Sequence, residues 1–330
     1  MNNILLGLAG VVAGAAPVVI AVVGETFTER AGVINLSVNG IILLSGMAGF
    51  AVTWSTGSIL AGLLAGGLIG AVAALIVSFC SITLKQSQVA VGFVLTLLFR
   101  DLSYFLGTPF MGETASIVTS RPTPLLSDIP ILGTLFFSHN WMTYLSYISI
   151  IGGYVWIFHT KAGLRLRSLG EQPKSAFTRG INVNRLRYLY TVFGGFLVGL
   201  AGPMYTLSIK AGWKGTLTGL DGIGWIVLAI VIFGGWNPIR GALGAYLFVF
   251  LQWLGLFLQP NLPNFPSQVL QVAPFPLMIL TLLFVNIGDT EWMTRFLAML
   301  PSGARKGFYK MIKLIRTPPP ASLGVPFERE

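Results

Sequence analysis

Apolar residues run along this chain in long blocks, and polar residues gather into short interruptions between them. A helix crossing the hydrocarbon of a bilayer needs about 20 apolar residues, and residues 4–24 supply the first such run. Residues 24–30 read as the first polar interruption. Residues 31–40 are half apolar and half polar, and 41–54 are too short to cross alone. Joined, they are long enough, which predicts a broken second helix. Polar, irregular backbone at membrane depth is tolerated only where protein or a water-filled cavity covers it. Residues 58–84 predict a third span, followed by a short basic turn at Lys85, and 89–106 a fourth, with Arg100 and Asp101 near its far end. Residues 107–140, rich in Pro, Ser and Thr, read as an external loop with a short surface helix around 132–137. Further spans are expected at 141–159 and 186–209. A short apolar run at 225–233 and spans at 240–258 and 272–287 follow. The pattern predicts an all-α integral membrane protein of about nine segments, or ten if 107–140 hides another.

The widest polar stretch, 164–187, reads LRLRSLGEQPKSAFTRGINVNRLR and sets Arg165, Arg167, Lys174, Arg179, Arg185 and Arg187 against one acid, Glu171. Basic loops between spans face the cytoplasm. Four spans separate this loop from the basic tail, so both are expected inside, with residues 107–140 and the N-terminus outside. If the broken segment does not cross fully, the N-terminal side flips. Pro173 suits an early helical position, Glu171 is favourable beside a helix N-terminus and Gly180 suits a helix stop, so the loop is expected to hold a helix of about two turns. Residues 1–294 then form a transmembrane domain with its loop at 160–187. Residues 295–330 form a basic tail, expected to be partly disordered around Pro318, Pro319 and Pro320.

Composition agrees. Of 330 residues 54% are hydrophobic and 10% charged, against about 25% charged in soluble domains, and the mean hydropathy is +0.77. The net charge of +10 sits beside the spans, so topology accounts for it without nucleic acid. Cys80 is the only cysteine, which excludes a disulfide within the chain and a cysteine metal site. His139 and His159 are expected as interfacial side chains. No basic residue precedes the first apolar run, so no cleaved signal peptide is expected. GxxxxGK[ST], HExxH and GxSxG are absent, so the chain is not expected to hydrolyse ATP or to be an enzyme. Glu25, Asp101, Asp221 and Asp289 fall near span ends. An ion-coupled transporter buries such groups mid-membrane, so energy is expected to enter from elsewhere.

Three stretches resemble a known family. Gly170-Glu171-x-Pro173-x-x-Ala176-x-x-x-Gly180-Ile181 is similar to the coupling loop of bacterial ABC-importer permeases for simple sugars, nucleosides and branched-chain amino acids. ERAGVINL, from Glu29 to Leu36, with Gly40, resembles the ERxGVxNLGxEG signature of the nucleoside and simple-sugar group linked to basic membrane proteins, relatives of the ribose permeases. Gly224, Trp225 and Ile226, the run from Phe233 to Pro238 and that from Gly241 to Ala245 resemble its late spans. The likeness covers about residues 20–290.

The resemblance implies a permease subunit in the bacterial inner or plasma membrane. A separate ATPase binds ATP and Mg and docks on Gly170, Glu171, Pro173, Ala176, Gly180 and Ile181. A second, similar permease chain completes the pore, and an extracytoplasmic binding protein delivers substrate. No cofactor or metal is implied in this chain. Asn35, Ser37, Asn39, Gln88 and Thr96 are expected along the substrate path as hydrogen-bonding groups, with Phe93 and Trp225 able to stack on a ring. Ser37 stands where the family has glycine, Asn39 where it has an acid, Thr96 and Gln172 where it has asparagine; the first three departures leave the substrate open. A branched-chain amino acid permease, an ATP-independent channel or secondary transporter, and a lipid transferase are the competing readings. The last needs a catalytic cluster that the residues do not supply.

Overall fold

The computed structural model describes residues 2–124, 126–261, 276 and 318–328. Eleven α-helices lie among them: α1 (Asn2–Arg30), α2 (Val38–Thr56), α3 (Ile59–Ser78), α4 (Gln88–Gly107), α5 (Leu132–Phe136), α6 (Trp141–His159), α7 (Lys161–Glu171), α8 (Pro173–Thr178), α9 (Val183–Met204), α10 (Ile223–Phe233) and α11 (Pro238–Leu258). Among the described residues, eight segments are long and apolar enough to cross a membrane. The span expected at 272–287 lies outside the described residues, and 107–140 carries only α5 and a 3₁₀ turn.

The helices pack into one bundle because each presents small or apolar residues to its neighbours. Helix α1 is the central post, with α9, α11, α6 and α10 against it. Ala15, Val18, Val19, Ala21 and Val22 are wholly covered. Helix α9 lies between α1 and α3. Its seam with α3 is glycine on glycine: a Cβ added at Gly70 would stand 2.7 Å from the Gly199 Cα. Helices in lipid gain little from burying apolar side chains, so close backbone approach supplies the attraction.

Two expectations change here. Residues 24–30 do not interrupt the first span: α1 continues to Arg30, with Glu25 and Glu29 buried. Thr26, Glu29 and Arg30 find hydrogen-bond partners inside the protein, whereas the buried Glu25 carboxyl has none. Thr26 returns its hydroxyl to the Val22 carbonyl at 2.7 Å, Glu29 accepts from the Trp236 indole, and Arg30 donates to the Trp236 carbonyl at 3.0 Å. The break falls at residues 31–37 instead, and α2 is a full 19-residue helix. The second change is at the end carrying α7 and α8, called here the basic end. The loop holds two helices rather than one, because Thr160 caps α7 by accepting from Gly163 N at 3.0 Å.

Residues 318–328, around the three prolines, lie as a strap across this same end. Ser322 N donates to the Gly170 carbonyl at 2.7 Å, and Gly324 N to the Gly32 carbonyl at 3.0 Å. Prolines lose little backbone freedom on ordering, and the backbone around them finds partners on α7 and on the 31–37 linker.

A side chain at the glycine seam has nowhere to go. Gly70→Val is expected to cost about 1–3 kcal/mol by overpacking, lowering the thermal midpoint of detergent-solubilised protein. Gly152→Ala in α6, where a Cβ meets nothing within 4 Å, should leave that midpoint in place.

Candidate functional site

Buried backbone needs hydrogen-bond partners, and the linker between α1 and α2 has no helix to supply them. Side chains do so. Gln88, at the start of α4, accepts from Ile34 N at 2.7 Å. Thr96, two turns on, donates to the Leu36 carbonyl at 2.7 Å. Asn35 Oδ1 accepts from Ser37 N at 3.1 Å and from the Ser37 hydroxyl at 2.5 Å. Gly32 N donates to the Glu29 carbonyl at 2.9 Å, closing α1. Asn35, Ser37, Gln88 and Thr96 are all buried. The structure therefore brings these expected path residues together around one loop; the Asn35 Nδ2 is buried there with no hydrogen-bond partner.

Asn39 has a different partner set. Its Nδ2 donates to Asp221 Oδ1 at 2.8 Å, and its Oδ1 accepts from Gly222 N at 2.9 Å and Gly224 N at 3.2 Å. Those amides open α10, so Asn39 caps the start of that helix across the bundle. Helix α10 has 11 residues, about 16 Å at about 1.5 Å per residue, roughly half a hydrocarbon core. Gly222 has φ +92°, a left-handed conformation that glycine adopts without penalty. Gly224 lies against Asn39: a Cβ there would fall 2.7 Å from the Asn39 Cβ. Thus the starts of two discontinuous helices, α2 and α10, meet at one polar point. In membrane transporters such meetings of broken helices hold substrates, because helix N-termini present free amides and a positive dipole.

Around this point lies a stripe on α4. Phe93, Arg100 and Tyr104 recur at helical spacing. The Phe93 and Trp225 rings are 6.4 Å apart, and both lie at the surface of the chain, with 49% and 38% exposure. Tyr104 donates to Asp221 Oδ2 at 3.4 Å, and Arg100 pairs with Asp101 at 3.0 Å. Of the seven expected path residues, Phe93 and Trp225 face outward, Asn39 builds the polar point and four hold the linker. Asp221, Arg100 and Tyr104 were not among them. One signal in the chain pointed to Asp221: it is the single charge between residues 215 and 239, between Gly219 and Gly222.

At the basic end the expected coupling residues form one compact unit. Pro173 opens α8, and Ala176 is its buried side chain. Gly180, at φ +80°, closes it, with Gly180 N donating to the Phe177 carbonyl at 2.9 Å and Ile181 N to the Ala176 carbonyl at 3.1 Å. Glu171 faces Arg30 at 3.9 Å. A Cβ at Gly170 would fall 2.5 Å from the Arg30 carbonyl. The end of α7, which leads into α8, therefore lies against the end of α1, where the linker begins. Among the described residues no cluster of His, Cys, Asp and Glu is arranged to hold a metal.

Comparison with known proteins agrees over most of the chain. The family described as branched-chain amino acid transport system / permease component matches residues 7–285. The nucleoside ABC transporter permease protein NupC of Lactococcus lactis is 30% identical over 301 residues, 86% of this chain and 92% of its own. The guanosine ABC transporter permease protein NupQ of Bacillus subtilis is 33% identical over 290 residues, 81% and 88% of the two chains. TsgC13 of Haloferax volcanii, named provisionally as a glucose ABC transporter permease protein, is 35% identical over 263 residues, 76% and 79%. No solved structure matches.

The Asn39–Asp221 pair tests how the polar point is built. Asn39→Asp sets two carboxylates face to face and removes the amide donor, an expected loss of about 1–3 kcal/mol. Adding Asp221→Asn exchanges the two groups and should restore most of the thermal midpoint. A double mutant no more stable than Asn39→Asp alone would show that the two side chains do not interact.

Proposed function

This chain belongs to the family of permease components described for branched-chain amino acid transport systems, and on that premise we propose how it works as the membrane subunit of an ATP-driven importer for nucleosides or simple sugars. A separate ATPase docks on α8 from the cytoplasm, a second permease chain completes the pathway, and an extracytoplasmic protein delivers the substrate. The observation that carries the reading is the unit of α7 and α8, tied through Glu171 and Arg30 to the break between α1 and α2. A channel has no use for a rigid helix pair joined to its own broken helix; a pump driven from outside needs one.

Conformational change follows from differential binding. ATP binding draws the ATPase domains together and shifts α8. The shift reaches residues 31–37 through Arg30 and re-aims α2 relative to α10. The polar point between those helices then trades access to one side for access to the other. A substrate with a flat ring and several hydroxyls fits what lies there. Phe93 and Trp225 supply ring faces, and Asn39, Asp221 and Tyr104 supply donors and acceptors. This is the chemistry of a nucleoside, which joins the nucleoside and guanosine permeases among the relatives. The family description names branched-chain amino acids, which places leucine in the same screen.

Proteoliposomes holding this chain with its ATPase, partner permease and binding protein are expected to accumulate guanosine or a simple sugar in an ATP-dependent manner, and not leucine. Phe93→Ala and Trp225→Ala should each weaken apparent nucleoside affinity about 5- to 100-fold, the scale of one lost base–aromatic stack. Uptake without ATP by this chain alone would overturn the importer reading; unchanged affinity in both variants would overturn the assigned path.

A further inference from the structure

The strap at residues 318–328 does more than close the chain. Ser322 N donates to the Gly170 carbonyl at 2.7 Å, and Ala321 N to Glu171 Oε2 at 3.3 Å. Arg187, 1% exposed, grips both sides at once: Nη2 donates to the Leu169 carbonyl at 3.2 Å and Nη1 to the Val325 carbonyl at 2.9 Å. A buried guanidinium is costly unless its donors are used; the carbonyls of strap and α7 take two of its nitrogens, while Nε has no partner. Beyond it, Phe327 packs on Phe177 of α8, ring centroids 5.6 Å apart. Glu328 reaches Lys85 in the α3–α4 turn at 2.7 Å, and the ammonium holds its carboxyl below the usual range.

The consequence is an apolar knob at the basic end. Phe177 is 39% exposed and Val325 53%, and Pro326 beside them is exposed. Lys174 in α8 and Arg179 at its end are basic, and Lys85 is paired with Glu328. Helix α8 by itself is six residues, about 9 Å long, and stable interfaces bury about 800 Å² on each partner. A helix so short needs adjoining surface, and the strap is the surface bonded to it.

We propose that residues 318–328 form the second half of the ATPase seat, so that the partner's cleft closes over Phe327 and Val325 together with α8. This rests on the importer reading above. The cleft that fits is apolar at its floor and acidic at its rim.

The test uses the whole transporter, co-expressed with its ATPase. On a Cys80→Ser background, Phe327→Cys carrying a benzophenone is expected to crosslink to the ATPase, identified by mass spectrometry of the adduct. Phe327→Ala, and a chain ending at Thr317, should each recover at least tenfold less ATPase while the second permease still co-purifies. Adducts only with lipid or with this chain, or undiminished ATPase recovery by both variants, would overturn the proposal. If the shortened chain does not fold, Phe327→Ala and the crosslink decide. The two failures separate cleanly: a wild-type chain that recovers no ATPase sinks the importer reading, whereas ATPase recovery indifferent to the strap sinks this proposal alone.

Discussion

Seven residues without a helix, 31–37, stand between two helices of a membrane bundle, and their backbone must be satisfied by protein. An unpaired amide or carbonyl in hydrocarbon costs several kcal/mol, so the linker exists only because other elements come to it. Gln88 and Thr96 fix the position of α4 by reaching Ile34 and Leu36. Gly92 must be small, since a Cβ there would fall 2.8 Å from Leu36 N. Gly324 of the strap takes the Gly32 carbonyl. The arrangement of α1, α2, α4 and the strap follows from one requirement.

That requirement also explains why the break suits a moving part. Its hydrogen bonds run to three separate pieces of chain, α1, α4 and the strap, so no single helix holds it. Arg30 is the junction. It donates to the carbonyls of Gly235 and Trp236 at the α10–α11 turn, faces Glu171 at the end of α7, and stacks over Phe158 of α6 at 5.6 Å. One side chain thus touches the basic-end helices, the central post and the half-helix whose far end meets Asn39.

Much of this was legible in the residues. Apolar block lengths located the spans at 58–84, 89–106 and 141–159 within a few residues, because a helix in lipid has few alternatives. Pro173 and Gly180 marked the limits of α8 because each encodes a backbone restriction. The course of α1 through Glu25 and Glu29 was not legible. Charge normally ends a span, and the partners that Glu29 and Arg30 find at Trp236, more than 200 residues away, are invisible in the local pattern. Nor was the Asp221 pairing with Asn39, since hydrophobic pattern places each residue relative to its own helix and says nothing about which helix starts will meet.

The path residues carry the sharper lesson. Asn35, Ser37, Gln88 and Thr96 lie in the two stretches that the family likeness marks for substrate, yet each makes a hydrogen bond within or to the linker, and only the Asn35 Nδ2 among their wholly buried polar atoms has no partner. A residue type that suits ligand binding equally suits holding irregular backbone, and sequence cannot separate the two uses. Geometry separates them by exposure and by hydrogen-bond partner. Phe93 and Trp225 are exposed, and the Asp221 carboxylate accepts from Asn39 and Tyr104. On the proposed importer reading, the meeting of α2, α4 and α10 is where specificity is tested. The polar residues of residues 31–37 act one step earlier, by deciding where that meeting occurs.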